Sequence, residues 1–494
     1  MQRIVALSAV LTTVAAGTFV SGPAVAAAVP YRGANTAAVQ DDFNGDGYRD
    51  LAVGAPGAAN GAVEGAGAVV VLYGSASSVG AARRTVITQA SAGVPGEPEA
   101  SDGFGTSVAS ADLDRDGYAD LLVGAPHEAV DGKEARGSVT VVWGGPSGPK
   151  GGATISPVAQ FGKLQTLCGF GVGLATGDMN GDGAPEVTVA SRCEGAAYTG
   201  PFTRSGQAAS QYREWRIGAR GVVMGDVNGD GRAERFWLPG ATGGDYRGPV
   251  LLDRGPVDPS DPTKDAPLKL PYADGHTGQI GDVNGDGYGD LITGIADDAT
   301  VDGERGAHKG GEIQVLYGSA HGITADQQPR IFHQDTAGIP GAGEFEDRFG
   351  QSLSIGDINA DGYADVLVGV PGEAIGTRAY AGGAVLLYGS AAGLTTNKST
   401  AYSQDTPGIS DNAETNDAFG SAVHLADLTK DGKAEAVVGT PSENTDGCTW
   451  LARGTRTGPA VNGSTTVCGK ESGLTLRGPH ALFGAALPSV YVTF

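Results

Sequence analysis

The sequence predicts an all-β fold, a seven-bladed β-propeller of four-stranded antiparallel blades whose ring is closed by the N- and C-terminal segments. Three observations predict it. A nine-residue acidic loop returns along the 494 residues, starting at Asp42, Asp112, Asp178, Asp226, Asp282, Asp357 and Asp427. Each loop runs at once into a short stretch of strand length, as in Leu51-Ala52-Val53. No segment holds a 3.6-residue apolar period over several turns, whereas 83 glycines punctuate β-prone stretches, the pattern of strands joined by tight turns. A repeat of this period favours one radially closed body, residues 29–494, over separate domains.

In chain order, Thr36–Gln40 reads as a short strand leading into the first loop, followed by strands at Leu51–Gly54, Ala68–Gly74 and Thr85–Thr88. Unit two is the most complete copy: Phe104-Gly105 opens its first strand, Leu121–Gly124 is its second and Gly137–Gly144 its third. Phe170-Gly171, Phe349-Gly350 and Phe419-Gly420 open units three, six and seven. Units three and four diverge. Ala190-Ser191-Arg192 replaces Gly-Ala-Pro, the interval between loops shortens, and Glu214–Ile217 is a strand whose pairing stays open. These two blades are expected to be the irregular side of the ring. Asp253–Asp265, with Pro256, Pro259 and Pro262, reads as a surface loop. Phe483-Gly484-Ala485-Ala486-Leu487 repeats the opening of a first strand with no acidic loop after it, and unit one has the loop without the opening. The last dozen residues are therefore expected beside Thr36–Gln40, so that both ends form one junction and no strand edge is left exposed.

The loops carry the chemistry. In the first, Asp42, Asn44, Asp46 and Asp50 set side-chain oxygens at the first, third, fifth and ninth positions, and the Tyr48 carbonyl at the seventh can turn inward. Hard oxygens in that number suit Ca2+, and glycines allow the sharp turn. The same ligand set recurs as Asp112, Asp114, Asp116, Tyr118 and Asp120; as Asp178, Asn180, Asp182, Ala184 and Glu186; and as Asp226, Asn228, Asp230, Arg232 and Glu234. It continues as Asp282, Asn284, Asp286, Tyr288 and Asp290; as Asp357, Asn359, Asp361, Tyr363 and Asp365; and as Asp427, Thr429, Asp431, Lys433 and Glu435. Loop two, with four formal charges, is expected to bind most tightly. Loop seven, with neutral Thr429 and two lysines, Lys430 and Lys433, is expected to be weakest or empty. A reading of the loops as Asx turns alone leaves the ninth acid unexplained.

Lysine and arginine number 33 against 56 acids, a net charge of −23, which argues against a nucleic-acid partner or docking on an anionic membrane. Seven divalent ions would offset more than half of that charge. Residues 1–28 read as a secretory signal: Arg3, an apolar stretch from Ile4 to Val20, and small residues at Ala24–Ala28. No later run reaches the roughly 18 apolar residues of a membrane helix, so the expected location is extracellular, without membrane insertion. Four cysteines in an exported chain allow three pairings. The local one, Cys168 with Cys193 and Cys448 with Cys468, closes a modest loop within one repeat each time and is the expected pairing.

Phe104-Gly105, the Asp112–Asp120 loop and Gly124-Ala125-Pro126, with partial copies elsewhere, resemble the FG-GAP repeats of the seven-bladed β-propeller in the head of integrin alpha subunits. The resemblance covers nearly all of residues 36–487, and secreted bacterial proteins with such repeats are similar. It implies calcium at the underside of the blades, between the first two strands. The chain departs from integrins in having seven such loops instead of a few and no leg domains after them. The expected function is a calcium-binding scaffold, the ions structural, that binds or adheres to a protein or carbohydrate ligand as a monomer. The ligand would sit on the opposite face, on loops such as Pro126–Arg136, Ala296–Gly310 and Asp411–Asp417. The alternative is an extracellular polysaccharide hydrolase or lyase. Its candidate bases, His127, His276, His308, His321, His333, His424 and His480, form no GxSxG, HExxH or closely spaced histidine and carboxylate cluster in the sequence, so no catalytic residue is assigned. Trp143, Trp215, Trp237 and Trp450 are expected to be buried between blades.

Overall fold

The computed structural model describes residues 39–77, 79–155, 166–214, 218–239, 248–253, 267–298, 308–476 and 481–488. The expected secretory signal, most of the Thr36–Gln40 segment, the 254–266 loop, Trp215 and His480 lie outside them.

Seven antiparallel sheets follow one another in chain order. Blade one holds β1 (Leu51–Ala55), β2 (Ala68–Leu72) and β3 (Arg84–Ile87). Blade two holds β4 (Ser107–Ala111), β5 (Asp120–Ala125), β6 (Ser138–Val142) and β7 (Ala153–Thr154). Blade three holds β8 (Gly173–Gly177), β9 (Glu186–Ala190), β10 (Gly195–Thr199) and β11 (Ser210–Glu214), and blade four β12 (Gly221–Gly225), β13 (Glu234–Leu238), β14 (Val250–Asp253) and β15 (Leu268–Leu270). Blade five holds β16 (Thr277–Gly281), β17 (Asp290–Ile295), β18 (Glu312–Leu316) and β19 (Arg330–Phe332), and blade six β20 (Leu353–Gly356), β21 (Asp365–Val370), β22 (Gly383–Tyr388) and β23 (Thr395–Tyr402). Blade seven holds β24 (Ala422–Ala426), β25 (Glu435–Thr440) and β26 (Cys448–Ala452). A small hairpin of β27 (Gly454–Thr455) and β28 (Gly458–Pro459) then precedes its outer strand β29 (Thr465–Cys468).

Position in the blade explains composition. Second strands such as β5, β17, β21 and β25 are buried at every residue, covered by a neighbouring blade on each face, and so read as continuous apolar runs. Outer strands such as β3 and β23 are half exposed and carry Arg, Thr, Asn and Lys. The first strands line an axial channel of about 480 Å³. Trp143, Trp237 and Trp450 are buried, as expected.

Blade is locked to blade by two motifs packed on each other. Phe104, Phe170, Phe349, Phe419 and Phe483 are fully buried. The glycine after each has positive φ, as at Gly105 and Gly484, a conformation that suits glycine. In blades one, two, five, six and seven the glycine next to the end of the second strand meets the Phe-Gly glycine carbonyl of the next blade. A Cβ on Gly124 would lie 2.2 Å from the Gly171 oxygen, one on Gly369 2.0 Å from that of Gly420, and one on Gly439 2.0 Å from that of Gly484.

That last contact closes the ring. Phe483 and Leu487 join one core cluster with Val53, Val70, Val437 and Leu451, from blades one and seven. Gly484 N–H donates to the Gly54 carbonyl at 3.1 Å, and Gly54 N–H donates to Ala486 at 2.8 Å. At the other end of the same strand position, Asp50 N–H donates to Asp41 at 2.8 Å. The C-terminal segment therefore lies against β1, as Asp41 does against Asp50, so the two ends meet at one junction as expected; residues 36–38 of the expected strand lie outside the described residues. Asp41 and the 484–486 segment share the first, innermost strand position of blade one, beside β1 and on the channel side.

Blades three and four are each complete four-stranded sheets, which corrects the expectation of an irregular side. Their loops lie closer in sequence because connections shrank: only residues 191–194 join β9 to β10, and 215–220 join β11 to β12. Of the strand expected at Glu214–Ile217, only Glu214 is described, and it ends β11, which pairs with β10; 215–217 lie outside the described residues. Disulfides link Cys168 to Cys193 and Cys448 to Cys468. The first ties the short β9–β10 turn to the lead-in of β8, and the second joins directly paired residues of β26 and β29.

Candidate metal centres

All seven loops lie on one face, between the first two strands of each blade. Their local geometry is set by the first residue. In every loop its Oδ2 accepts the N–H of the sixth residue, at 2.7–3.0 Å. The fifth residue accepts the seventh N–H on Oδ1, as Asp46 does from Tyr48. These turns gather the first, third and fifth side chains. In loop two, ligand oxygens of Asp112, Asp114 and Asp116 lie within 4.8 Å of one another. Two third-position oxygens, Asp114 Oδ1 and Asn359 Oδ1, are buried without a hydrogen-bond partner. A buried acceptor with no donor costs free energy that a cation removes, so the residues fit Ca2+.

The ninth residue has a further role that its spacing did not reveal. All seven are buried, and one carboxylate oxygen of each accepts the N–H of the loop's second residue, at 2.7–3.1 Å. Where the residue is Asp, the other oxygen accepts a glycine N–H from the end of the third strand: Gly74, Gly144, Gly318 or Gly389, at 2.8–3.0 Å. Where it is Glu, the longer side chain passes that glycine and bonds the third loop residue instead, as Glu186 does with Asn180, Glu234 with Asn228 and Glu435 with Thr429. Each carboxylate oxygen has two lone pairs, so this clamp leaves acceptor capacity for an ion. Burial, then other acids of the same loop, the first and fifth for Asp50, Asp290 and Asp365 and the third and first for Asp120, push the ninth carboxyls up, Asp50 and Asp365 to about 8 and Asp120 and Asp290 to about 7. A positive charge in the loop is what these groups lack.

Basic side chains supply some of it. Arg204, from blade three, pairs with both Asp114 and Asp116, so the most acidic loop carries its own counter-charge. Arg83 lies 3.1 Å from Asp46 and Lys433 2.9 Å from Asp431. Lys430 leaves its own loop, and its Nζ sits near Tyr48 of loop one.

Adjacent loops are also joined to one another. The eighth residue's N–H donates to the first residue's carbonyl in the preceding loop: Ala119 to Asp42, Ala233 to Asp178, Gly289 to Asp226, Ala364 to Asp282 and Ala434 to Asp357, at 2.8–3.0 Å. Loop three has Pro185 there, which has no N–H, and keeps only a second tie, Phe202 N–H to Leu113 at 2.8 Å, which corresponds to Gly145 to Phe43, Ser319 to Val227 and Ser390 to Val283 elsewhere.

The opposite, upper face holds the turns between second and third strands and the connections between blades. Leu167, Tyr272 and Phe345, three of the exposed large hydrophobics, lie on those connections. Of the candidate bases, His424 lines the channel near Asp41 and Arg49. Its Nε2 has no hydrogen-bond partner, and Asp41 accepts from Ser110 Oγ. His308 and His333 stack at 3.6 Å, and His308 Nε2 lies 3.2 Å from Asp335. His333 and Asp335 stand two residues apart in the sequence, but His308 joins them only through the pairing of β18 with β19 in blade five, which spacing does not show. His321 is exposed.

The FG-GAP repeat family matches residues 34–72, 104–142 and 349–388. Phosphatidylinositol-glycan-specific phospholipase D of Bos taurus is 33% identical over 177 residues, 35% of this chain and 20% of its own. Integrin alpha-7 of Rattus norvegicus is 40% identical over 98 residues, 19% of this chain and 8% of its own, and integrin alpha-5 of Xenopus laevis is 32% identical over 154 residues, 30% and 14%. The chain thus matches no more than a fifth of the length of these relatives. Among solved structures, the periplasmic gluconolactonase PpgL of Pseudomonas aeruginosa aligns over 90% of this chain and 100% of its own at 13% identity and a TM-score of 0.46, too loosely to bear on activity.

Proposed function

This chain being an FG-GAP β-propeller that resembles the integrin alpha head, we propose that it is a secreted, calcium-stabilised scaffold that binds a protein or glycan through its upper face. The observation that carries the binding surface is the placing of Leu167, Tyr272 and Phe345, with exposures of 60%, 43% and 62%, on connections that share that face. Exposed apolar side chains with polar surroundings suit an interaction site. The two disulfides suit an oxidising, extracellular compartment. Calcium's role is structural: the ions neutralise buried carboxylates at blade turns and bind only the folded ring, raising its stability.

Two measurements test this reading. Excess chelator should lower the melting temperature and added Ca2+ restore it; an unchanged transition rejects the calcium. Labelled protein should bind at least one member of an array of extracellular glycans and matrix proteins, and replacing Leu167, Tyr272 and Phe345 together by serine should abolish that binding with melting unchanged. A variant that binds as well as the parent, or a parent that binds nothing, rejects the upper-face surface.

A further inference from the structure

Three blade junctions repeat a set of residues that the loops do not use. Between blades one and two it is Gln89, Glu99, Asp102 and Glu128; between five and six, Gln334, Glu344, Asp347 and Glu373; between six and seven, Gln404, Glu414, Asp417 and Glu443. The glutamine leaves the outer strand of one blade. The first acid and the aspartate lie just before the next blade's Phe-Gly, and the last acid in that blade's turn after its second strand. All are therefore on the upper face.

The carboxylates converge. Ligand oxygens of Glu99, Asp102 and Glu128 lie within 4.8 Å of one another. At the other two junctions the same residues recur at the same spacing, and the aspartate again accepts the N–H of the first acid, Glu344 to Asp347 at 2.6 Å and Glu414 to Asp417, as Glu99 does to Asp102 at 2.6 Å. Gln89 Nε2 donates to Glu128 at 2.6 Å, Gln334 to Glu373 at 2.6 Å and Gln404 to Glu443 at 2.5 Å. Each glutamine is thus aimed into its cluster, and each is 4–5% exposed. In all three, the remaining amide oxygen, Oε1, is buried with no hydrogen-bond partner. An orphaned buried acceptor is costly once, and three equivalent ones beside three carboxylates point to a missing positive ligand. Among the described residues, no basic side chain acts on Asp102 or Glu128 at the first junction; Lys309 and Arg378 act weakly on Asp347 and Asp417 at the others.

We propose that each of these three junctions binds a Ca2+ ion on the upper face, held by the glutamine Oε1 and the three carboxylates, which staples consecutive blades together. The donors are all hard oxygens, without histidine or cysteine, which selects Ca2+ over zinc or copper, and four protein ligands leave room for water in a shell of about 6–8. These ions are additional to any in the underside loops.

The test is the number of ions bound by the full chain after chelation and readdition of Ca2+, read by equilibrium dialysis. Replacing the exposed Glu99, Glu344 and Glu414 by glutamine should remove three ions per chain, and E99Q alone one. Q89L/Q334L/Q404L should weaken the same three ions at least tenfold. Because Glu99, Glu344 and Glu414 are exposed, their variants keep the fold, checked by circular dichroism. Unchanged ion number and affinity in the Glu99, Glu344 and Glu414 variant overturns the proposal. The underside loops are read separately: Asp42→Asn and Asp357→Asn should lose ions whether or not the junction sites exist.

Discussion

The second-strand glycine of blades one, two, five, six and seven touches the next blade so closely that one methyl group has nowhere to go. Gly439→Ala places a Cβ about 2.0 Å from the Gly484 oxygen, an overpacking worth roughly 1–3 kcal/mol. Denaturant unfolding should show that loss, whereas Gly432→Ala, where nothing lies within 4 Å but φ is positive, should cost less. His424 is a second residue with a defined prediction. Burial pushes its pKa to about 4, with Asp41 acting upward and Arg49 downward. Unfolded, it titrates near 6.5. Between those values the unfolded chain binds a proton that the native chain does not, so stability is complete above about pH 6.5 and falls as pH drops to about 4, by up to roughly 3 kcal/mol. His424→Gln should flatten that part of the stability curve; an unaltered slope assigns it to other groups.

At the scale of the element, the loop is a turn that its first aspartate holds and its ninth acid clamps to the blade. The first, third and fifth spacing was legible because it is local chemistry, nine residues long. The clamp was not, because Asp50 meets Gly74 and Asp120 meets Gly144, residues in another strand that only the antiparallel register brings near. Arg204 was hidden for the same reason: it reaches loop two from the far end of blade three. Its guanidinium competes with an ion there. Arg204→Ala should therefore tighten calcium binding to loop two by a few-fold, since a half-exposed pair is worth about 0.2–1 kcal/mol. Calcium titration of the variant checks it, and weaker binding would show that Arg204 supports the site.

Over the whole molecule, the number of blades and the need for closure were legible in seven loops and one orphaned Phe-Gly. The manner of closure was not. Both ends of the chain contribute to one strand position, a relation that no local pattern encodes, and blades three and four looked broken only because short connections resemble missing strands. Deleting residues 481–494 removes the fully buried Phe483 and Leu487 and opens an edge on β1. The expected cost is about 3–6 kcal/mol, at roughly 1.5–3 kcal/mol per buried side chain. It should appear as a lower melting temperature together with self-association through the open edge, measured by scanning calorimetry and light scattering.

The shared strand also sets an order in time. Blades two to seven have all their strands once β29 has been made, but blade one waits for residues 483–487, which follow β29. Until then β1 stands as an unpaired edge, and the ring is an open ribbon. Residues 483–487 are what turn that ribbon into a closed body, so a chain that stops before them would keep six finished blades and an open, sticky blade one.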